Sequence, residues 1–178
     1  MDQAATRAAR LQELIRDVPD FPIPGIIFKD ITPILQDPAG FHQAIEALAA
    51  LFDPDSYDVI VGLESRGFVF GAPVAFVLNR GFVPIRKAGK LPAEKISVSY
   101  TLEYGSNVIE MHADGIHAGQ RVLIVDDLLA TGGTTAGTVK LVQALGAEVV
   151  SLAFLVELSG LHGRDRLPGL DVFSLLTY

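Results

Sequence analysis

The residues with the most chemical potential lie between Arg121 and Thr138. Asp126-Asp127 closes the apolar run Val122 to Val125, and Ala130-Thr131-Gly132-Gly133-Thr134-Thr135 follows. The apolar run, mostly β-branched, reads as a strand buried on both faces. The loop after it supplies what a phosphate requires: glycines that let the main chain come close, threonine hydroxyls, and the N–H groups and positive dipole end of a starting helix. Carboxylates beside such a cradle would repel an anion unless a metal ion or a sugar lies between. At the carboxyl end of a strand, Asp126 and Asp127 suit the 2′,3′-diol of a ribose, or Mg²⁺ reached through water, with a 5′-phosphate in the loop. A ribose 5-phosphate is the ligand that fits. The same residues also suit a plain strand–turn–helix in which Thr131 or Thr134 caps the helix. A Walker loop is excluded because no lysine follows the glycines, and the glycine spacing is not the dinucleotide fingerprint.

A second strand-to-helix turn, Gly62-Leu63-Glu64-Ser65-Arg66-Gly67, carries a hydroxyl and a guanidinium. In a parallel sheet it lies on the same edge as the Thr131 loop, although spacing alone fits Arg66 equally well as a surface charge. From Arg86 to Lys95 the chain turns basic, with Arg86, Lys87, Lys90 and Lys95. Such a run is either solvated or the grip for a pyrophosphate. Val98 to Tyr104 and Val108 to His112 read as a hairpin standing apart from the main sheet, a two-stranded lid within about residues 87–112 that carries Tyr100, Glu103 and Tyr104.

These loops need a scaffold, and the pattern predicts an α/β fold. Leu11, Leu14, Ile15 and Val18 fall at helical spacing up to Pro19, whereas Pro19 to Pro33 reads as irregular, its Ile26-Ile27-Phe28 trio serving as a core plug or a ligand wall. Asp37-Pro38 is an N-cap and first helical residue, with Phe41, Ala44, Ile45, Leu48 and Leu51 on the buried face behind it. Strands are expected at Asp58 to Gly62, Gly81 to Arg86, Val122 to Asp126, Val149 to Leu155 and Val172 to Leu176, alternating with helices over Gly67 to Asn79 and Thr134 to Leu145. A mainly parallel five-stranded sheet flanked by helices follows.

At 178 residues, 49% hydrophobic and 20% charged, the chain is expected to form one globular domain. No apolar run is long enough to span a bilayer and the N-terminal segment is not a secretory signal, so no membrane partner is expected and the cytosol is the default compartment. The chain has no cysteine and hence neither disulfide nor thiolate metal site. Its net charge of −7 argues against broad nucleic-acid binding. The four histidines share no ligand spacing.

The run Val122 to Thr134 resembles the phosphoribosyl-pyrophosphate (PRPP) motif of type I phosphoribosyltransferases. Further runs are similar to those of the adenine-specific members of that family: Phe21-Pro22-x-Pro24-Gly25-x-x-Phe28-Lys29-Asp30-Ile31, Gly62 to Phe68, Arg86-Lys87-x-Gly89-Lys90-Leu91-Pro92, Leu102-Glu103-Tyr104-Gly105 and Phe173 to Leu176. They cover nearly the whole chain in the family's order, the N-terminal helix excepted. The resemblance implies transfer of phosphoribosyl from PRPP to adenine, giving AMP and pyrophosphate, with Mg²⁺ held mainly by PRPP and no dedicated protein ligands. It implies that Ala130, Thr131, Gly132, Gly133 and Thr134 hold the 5′-phosphate and that Asp126 and Asp127 hold the ribose. Ser65, Arg66, Arg86, Lys87 and Lys90 would address the pyrophosphate, and in this family the Arg86 region can be offered by the neighbouring subunit of a homodimer. Ile27, Phe28, Lys29 and Leu158 would form the base pocket, with main-chain groups near Ile27 and Lys29 reading the adenine edge. Glu103 would meet N7 of the base as the catalytic group. A 6-oxopurine substrate needs a donor at O6, and the lack of any lysine from Val149 to Tyr178 leans toward adenine. Transfer to a 6-oxopurine or xanthine, and a PRPP-sensing regulator without activity, are the alternatives.

Overall fold

The computed structural model describes residues 3–101 and 106–178, with the side chains of residues 3–6, 101 and 106 left aside. Five parallel strands form the predicted core of the sheet: β3 (Val59–Leu63), β4 (Gly81–Lys87), β7 (Arg121–Leu129), β8 (Glu148–Glu157) and β9 (Val172–Thr177). The hairpin strands β5 (Lys95–Thr101) and β6 (Ser106–His112) extend it to seven, in the order β5-β6-β4-β3-β7-β8-β9. The expectation of a hairpin apart from the sheet is thus corrected. β6 runs antiparallel to β4 at Arg86↔Glu110 and Lys87↔Ile109, and it stays there because Ile109 and Met111 are buried in the same apolar layer as Val83 and Ile85.

β7 explains why the sheet is two-sided. Val122 and Ile124 enter the core beneath α5 (Gly133–Ala144), while Leu123 and Val125 enter the opposite core beneath α1 (Gln3–Leu14), α3 (Pro38–Ala49) and α4 (Arg66–Val77). Period-two alternation with both faces covered is what a continuous apolar run requires. Asp37 caps α3 as its sequence predicts, accepting the N–H groups of Ala39 and Gly40 at 2.9 Å each.

The N-terminal region departs from expectation. α1 ends at Leu14, and Arg16–Pro19 is a strand, β1, paired antiparallel with β2 (Ile27–Asp30) in a separate two-stranded sheet. Val18 fell at helical spacing, but charges decide the pairing. Arg16 lies opposite Asp30 and reaches it at 2.5 Å, and Asp17 lies opposite Lys29 and accepts from its Nζ at 2.7 Å. Cross-strand pairs of opposite charge favour this register over one more helical turn. A short helix α2 (Thr32–Gln36) then leads to α3.

At the far end of the sheet from the phosphate loop, the Arg121 side chain brackets Asp58. Its Nη2 lies 2.8 Å from one carboxylate oxygen, while its Nε and main-chain N–H reach the other. This pair fixes β3 beside β7 with Val59 opposite Val122. Hydrogen bonds from Arg121 hold the Asp58 carboxyl down at about 2 against an ordinary 3.8. A depressed folded value means stability present above 3.8 and lost as pH falls toward about 2. Asp58→Asn is expected to lower the urea midpoint at pH 7 and to flatten its decline between pH 4.5 and 3. An unchanged decline with acid would remove Asp58 from this role.

Candidate active site

A cavity of about 400 Å³ opens where β3 and β7 end, lined by Ser65, Arg66, Lys87, Asp126, Asp127 and the loop Ala130 to Thr135. Sequence reasoning placed the Ser65-Arg66 turn and the Thr131 loop on one edge, and the structure brings them together with Lys87. α5 starts at Gly133 after Gly132, whose φ of 75° lies in the left-handed region open to glycine. The first helical bond runs from the Ala136 N–H to the Gly132 carbonyl, so the amides of Gly133, Thr134 and Thr135 precede the ladder. All three residues line the cavity, a ready anion cradle.

Asp126 and Asp127 stand beside it. Asp127 is buried, and Arg66 Nε lies 2.6 Å from its Oδ2. Asp126 Oδ1 accepts the Asp127 main-chain N–H at 2.9 Å. The same oxygen lies 2.5 Å from where a Cβ on Gly67 would stand. Only a glycine at the start of α4 lets the carboxylate come this close. Burial pushes both carboxyls above their usual range. For Asp126 the neighbouring Asp127 adds to that rise, while for Asp127 the Arg66 guanidinium works against it. Two acids crowded against one arginine leave room for further positive charge.

The remaining predicted residues sit as follows. Arg86 is bound to Glu64, its Nε 3.0 Å from Oε2, and lines an adjoining cavity of about 270 Å³ with Lys87, Tyr100 and Thr134. Lys90 lines neither cavity, and its carbonyl accepts from Arg86 at 3.4 Å. The Phe28 ring lies under Arg66, 5.6 Å from centroid to guanidinium carbon, which sets one wall near the acids. Ile27 is exposed on β2. The Lys29 ammonium turns to Asp17 and the Tyr178 ring, 4.2 Å from its centroid. Leu158 packs on the core and donates its N–H to Leu129. Tyr100, expected on a lid, lies on β5 with its hydroxyl 3.1 Å from Thr134 Oγ1. Glu103 and Tyr104 lie outside the described residues. Among the described residues no group of three or more His, Asp or Glu is arranged to hold a metal.

The phosphoribosyl transferase domain family matches residues 30–175. The adenine phosphoribosyltransferase of Halothermothrix orenii is 57% identical over 93% of this chain and 98% of its own length. The chain belongs to the adenine phosphoribosyltransferase family. Among solved structures, the adenine phosphoribosyltransferase of Thermoanaerobacter pseudethanolicus superposes with a TM-score of 0.93 at 51% identity, covering 96% of this chain and 99% of that one. The Saccharomyces cerevisiae enzyme, solved with an imino-altritol bisphosphate and adenine, gives 0.92 at 43% identity over 96% and 99%.

Two residues of this adenine phosphoribosyltransferase family member escaped the sequence reading as parts of the site. Glu64 was quoted only within a motif, yet its carboxylate also accepts the Lys87 main-chain N–H at 3.0 Å and so joins the ends of β3 and β4. Gly163 lies between β8 and β9, in a stretch to which the sequence pattern gives no role. A Cβ on Gly132 would strike the Gly163 carbonyl, and a Cβ on Gly163 would strike that of Ala130. The connection therefore buttresses the cradle from behind, held by Glu157, which takes two bonds of 2.7 Å from Arg164 and one from Ser174. The signal was a glycine among polar residues, with nothing to say what it faced. Gly163→Ala is expected to displace the Ala130 carbonyl and weaken ribose 5-phosphate binding by about tenfold, or about 1.4 kcal/mol, by calorimetry. Wild-type affinity would show that the buttress does not shape the cradle.

Proposed function

We propose that this chain carries phosphoribosyl from PRPP to adenine, forming AMP and releasing pyrophosphate, as a Mg²⁺-dependent cytosolic homodimer. The observation that carries this reading is the convergence in one cavity of a helix-start cradle, the half-buried Asp126, the buried Asp127, Arg66 and Lys87. The cradle suits the 5′-phosphate through its amides and the hydroxyls of Thr131 and Thr134, and Asp126 and Asp127 accept from the ribose diol. Ser65, Arg66 and Lys87 face the pyrophosphate, with Arg86 and Lys90 on the adjoining basic segment.

In the reaction, N9 of adenine bonds to C1 of the ribose as the C1–O bond to pyrophosphate breaks. Positive charge builds on the sugar ring, so the site must stabilise the leaving anion and exclude water. Arg66 and Lys87 serve the first need. Glu103 is assigned to the proton that the base gives up, held at N7 or relayed from it. The base lies between Phe28 and Leu158, with the main chain at Ile27 and Lys29 reading its edge. Two raised carboxyls, only one of them paired with Arg66, fit a divalent cation arriving with PRPP, which Asp126 and Asp127 would reach through water. Bound there, Mg²⁺ supplies charge neutralisation of the leaving pyrophosphate.

The dimer rests on the outer face of α4, where Phe68, Ala72 and Phe76 recur at helical spacing and Phe76 is 87% exposed. A second copy seated there lies beside the Arg66 turn from which α4 starts. The cytosol is the compartment for a substrate as highly charged as PRPP, and an acidic chain suits neither nucleic acid nor a membrane surface as partner.

The deciding assay follows pyrophosphate release from PRPP and Mg²⁺ with adenine, hypoxanthine, guanine and xanthine, the nucleotide product being identified. AMP from adenine alone is expected. Product from an oxopurine would replace the base assignment, and silence with PRPP bound would make the chain a PRPP sensor. Glu103→Ala is expected to cut turnover by more than about tenfold with PRPP affinity kept. Phe76→Glu is expected to run as a monomer in light scattering at micromolar concentration, and a persistent dimer would move the interface elsewhere.

A further inference from the structure

Tyr100 reaches the phosphate loop from a strand that is distant in sequence. β5 lays its ring against α5 at Gly137, where a Cβ would stand 3.4 Å from the ring and 3.2 Å from Ile109. The hairpin thus packs directly on the helix that begins at the cradle. The ring's hydroxyl meets Thr134 Oγ1 at 3.1 Å, and Tyr100, Thr134, Arg86 and Lys87 share one cavity.

Each hydroxyl has one hydrogen to give. With the cradle empty, the hydrogen between these oxygens can belong to either group. A phosphate ester dianion only accepts, so Thr134 must turn its hydrogen to the phosphate and leave its own oxygen to accept. Tyr100 is the hydroxyl in place to donate. We infer that Tyr100 is a positioning residue, which couples 5′-phosphate occupancy to the seating of the β5–β6 hairpin through a Tyr100-to-Thr134-to-phosphate chain of hydrogen bonds. This rests on the reading that the Thr131 loop holds the 5′-phosphate.

The coupling is reciprocal, since whatever the phosphate does to hold the hairpin, the hairpin does to hold the phosphate.

The test compares wild type, Tyr100→Phe, Thr134→Val and the double variant. Tyr100→Phe keeps the ring against Gly137 and removes only the donor. In wild type, ribose 5-phosphate is expected to slow hydrogen exchange at the amides of Lys95–Thr101 and Ser106–His112. In Tyr100→Phe, saturated with the same ligand, that slowing is expected to vanish with the thermal midpoint unchanged. KM for PRPP is expected to rise about tenfold in Tyr100→Phe with KM for adenine little changed, and the double variant should be no worse than Thr134→Val. Equal protection in wild type and Tyr100→Phe, additive effects in the double variant, or a wild-type hairpin unaffected by ribose 5-phosphate would each overturn the coupling while leaving the transferase reading intact. No nucleotide product from wild type with any base would instead defeat that reading itself.

Discussion

Asp126 and Asp127 lie toward the carboxyl end of β7, where burial pushes both carboxyls above their usual range. What keeps them useful is the approach of a neighbouring turn: Gly67 leaves space for one carboxylate and Arg66 pairs with the other at 2.6 Å. Both residues belong to the start of α4, so the pair can exist only if β3 lies directly beside β7 and in one register. The Asp58–Arg121 clamp at the opposite end sets that register, and the two apolar layers hold it. Shifting β3 by one residue would turn its core faces inside out and carry Arg66 away from the acids. The site is thus a consequence of sheet order more than of any single loop.

The same dependence explains what could be read without coordinates. The parallel strands were legible because each is an apolar run bounded by turn residues, and the Asp37 cap because its chemistry is local. The cradle was legible because strand, acids, glycines and threonines are contiguous in sequence. Gly163 was not, since its significance lies in a carbonyl opposite, contributed by Ala130. β1 was missed because Val18 continued the helical period, while the partners that hold the strand, Asp30 and Lys29, lie across a turn. The hairpin was recognised but detached from the sheet, since the two residue pairs that join it to β4 leave no mark in its own pattern.

The cations near the cradle raise a question of competition. Arg66 is engaged by Asp127 and Arg86 by Glu64, both through Nε at hydrogen-bonding distance. Arg66, bonded through Nε, retains four further N–H donors, and Arg86, which also donates to the Lys90 carbonyl, retains three, so these pairs orient the side chains and still leave hydrogen-bonding capacity for an anion. Glu64 also accepts the Lys87 N–H, and its carboxyl is held below its ordinary value first by Arg86 and then by that main-chain bond. It therefore stays ionised through neutral pH, a fixed negative charge at the edge of a site read as binding pyrophosphate.

That charge has a consequence for selectivity. For an anion entering beside Glu64 and Asp127, each guanidinium already has its carboxylate, which leaves the attraction to Lys87 and the amides at the start of α5. An anion carrying several charges and a divalent cation changes the balance. The cation offsets the fixed acids, and the extra oxygens use the donors that the two arginines retain. On the proposed function, the arrangement suits a ribose phosphate that bears a second, multiply charged phosphate group, as PRPP does.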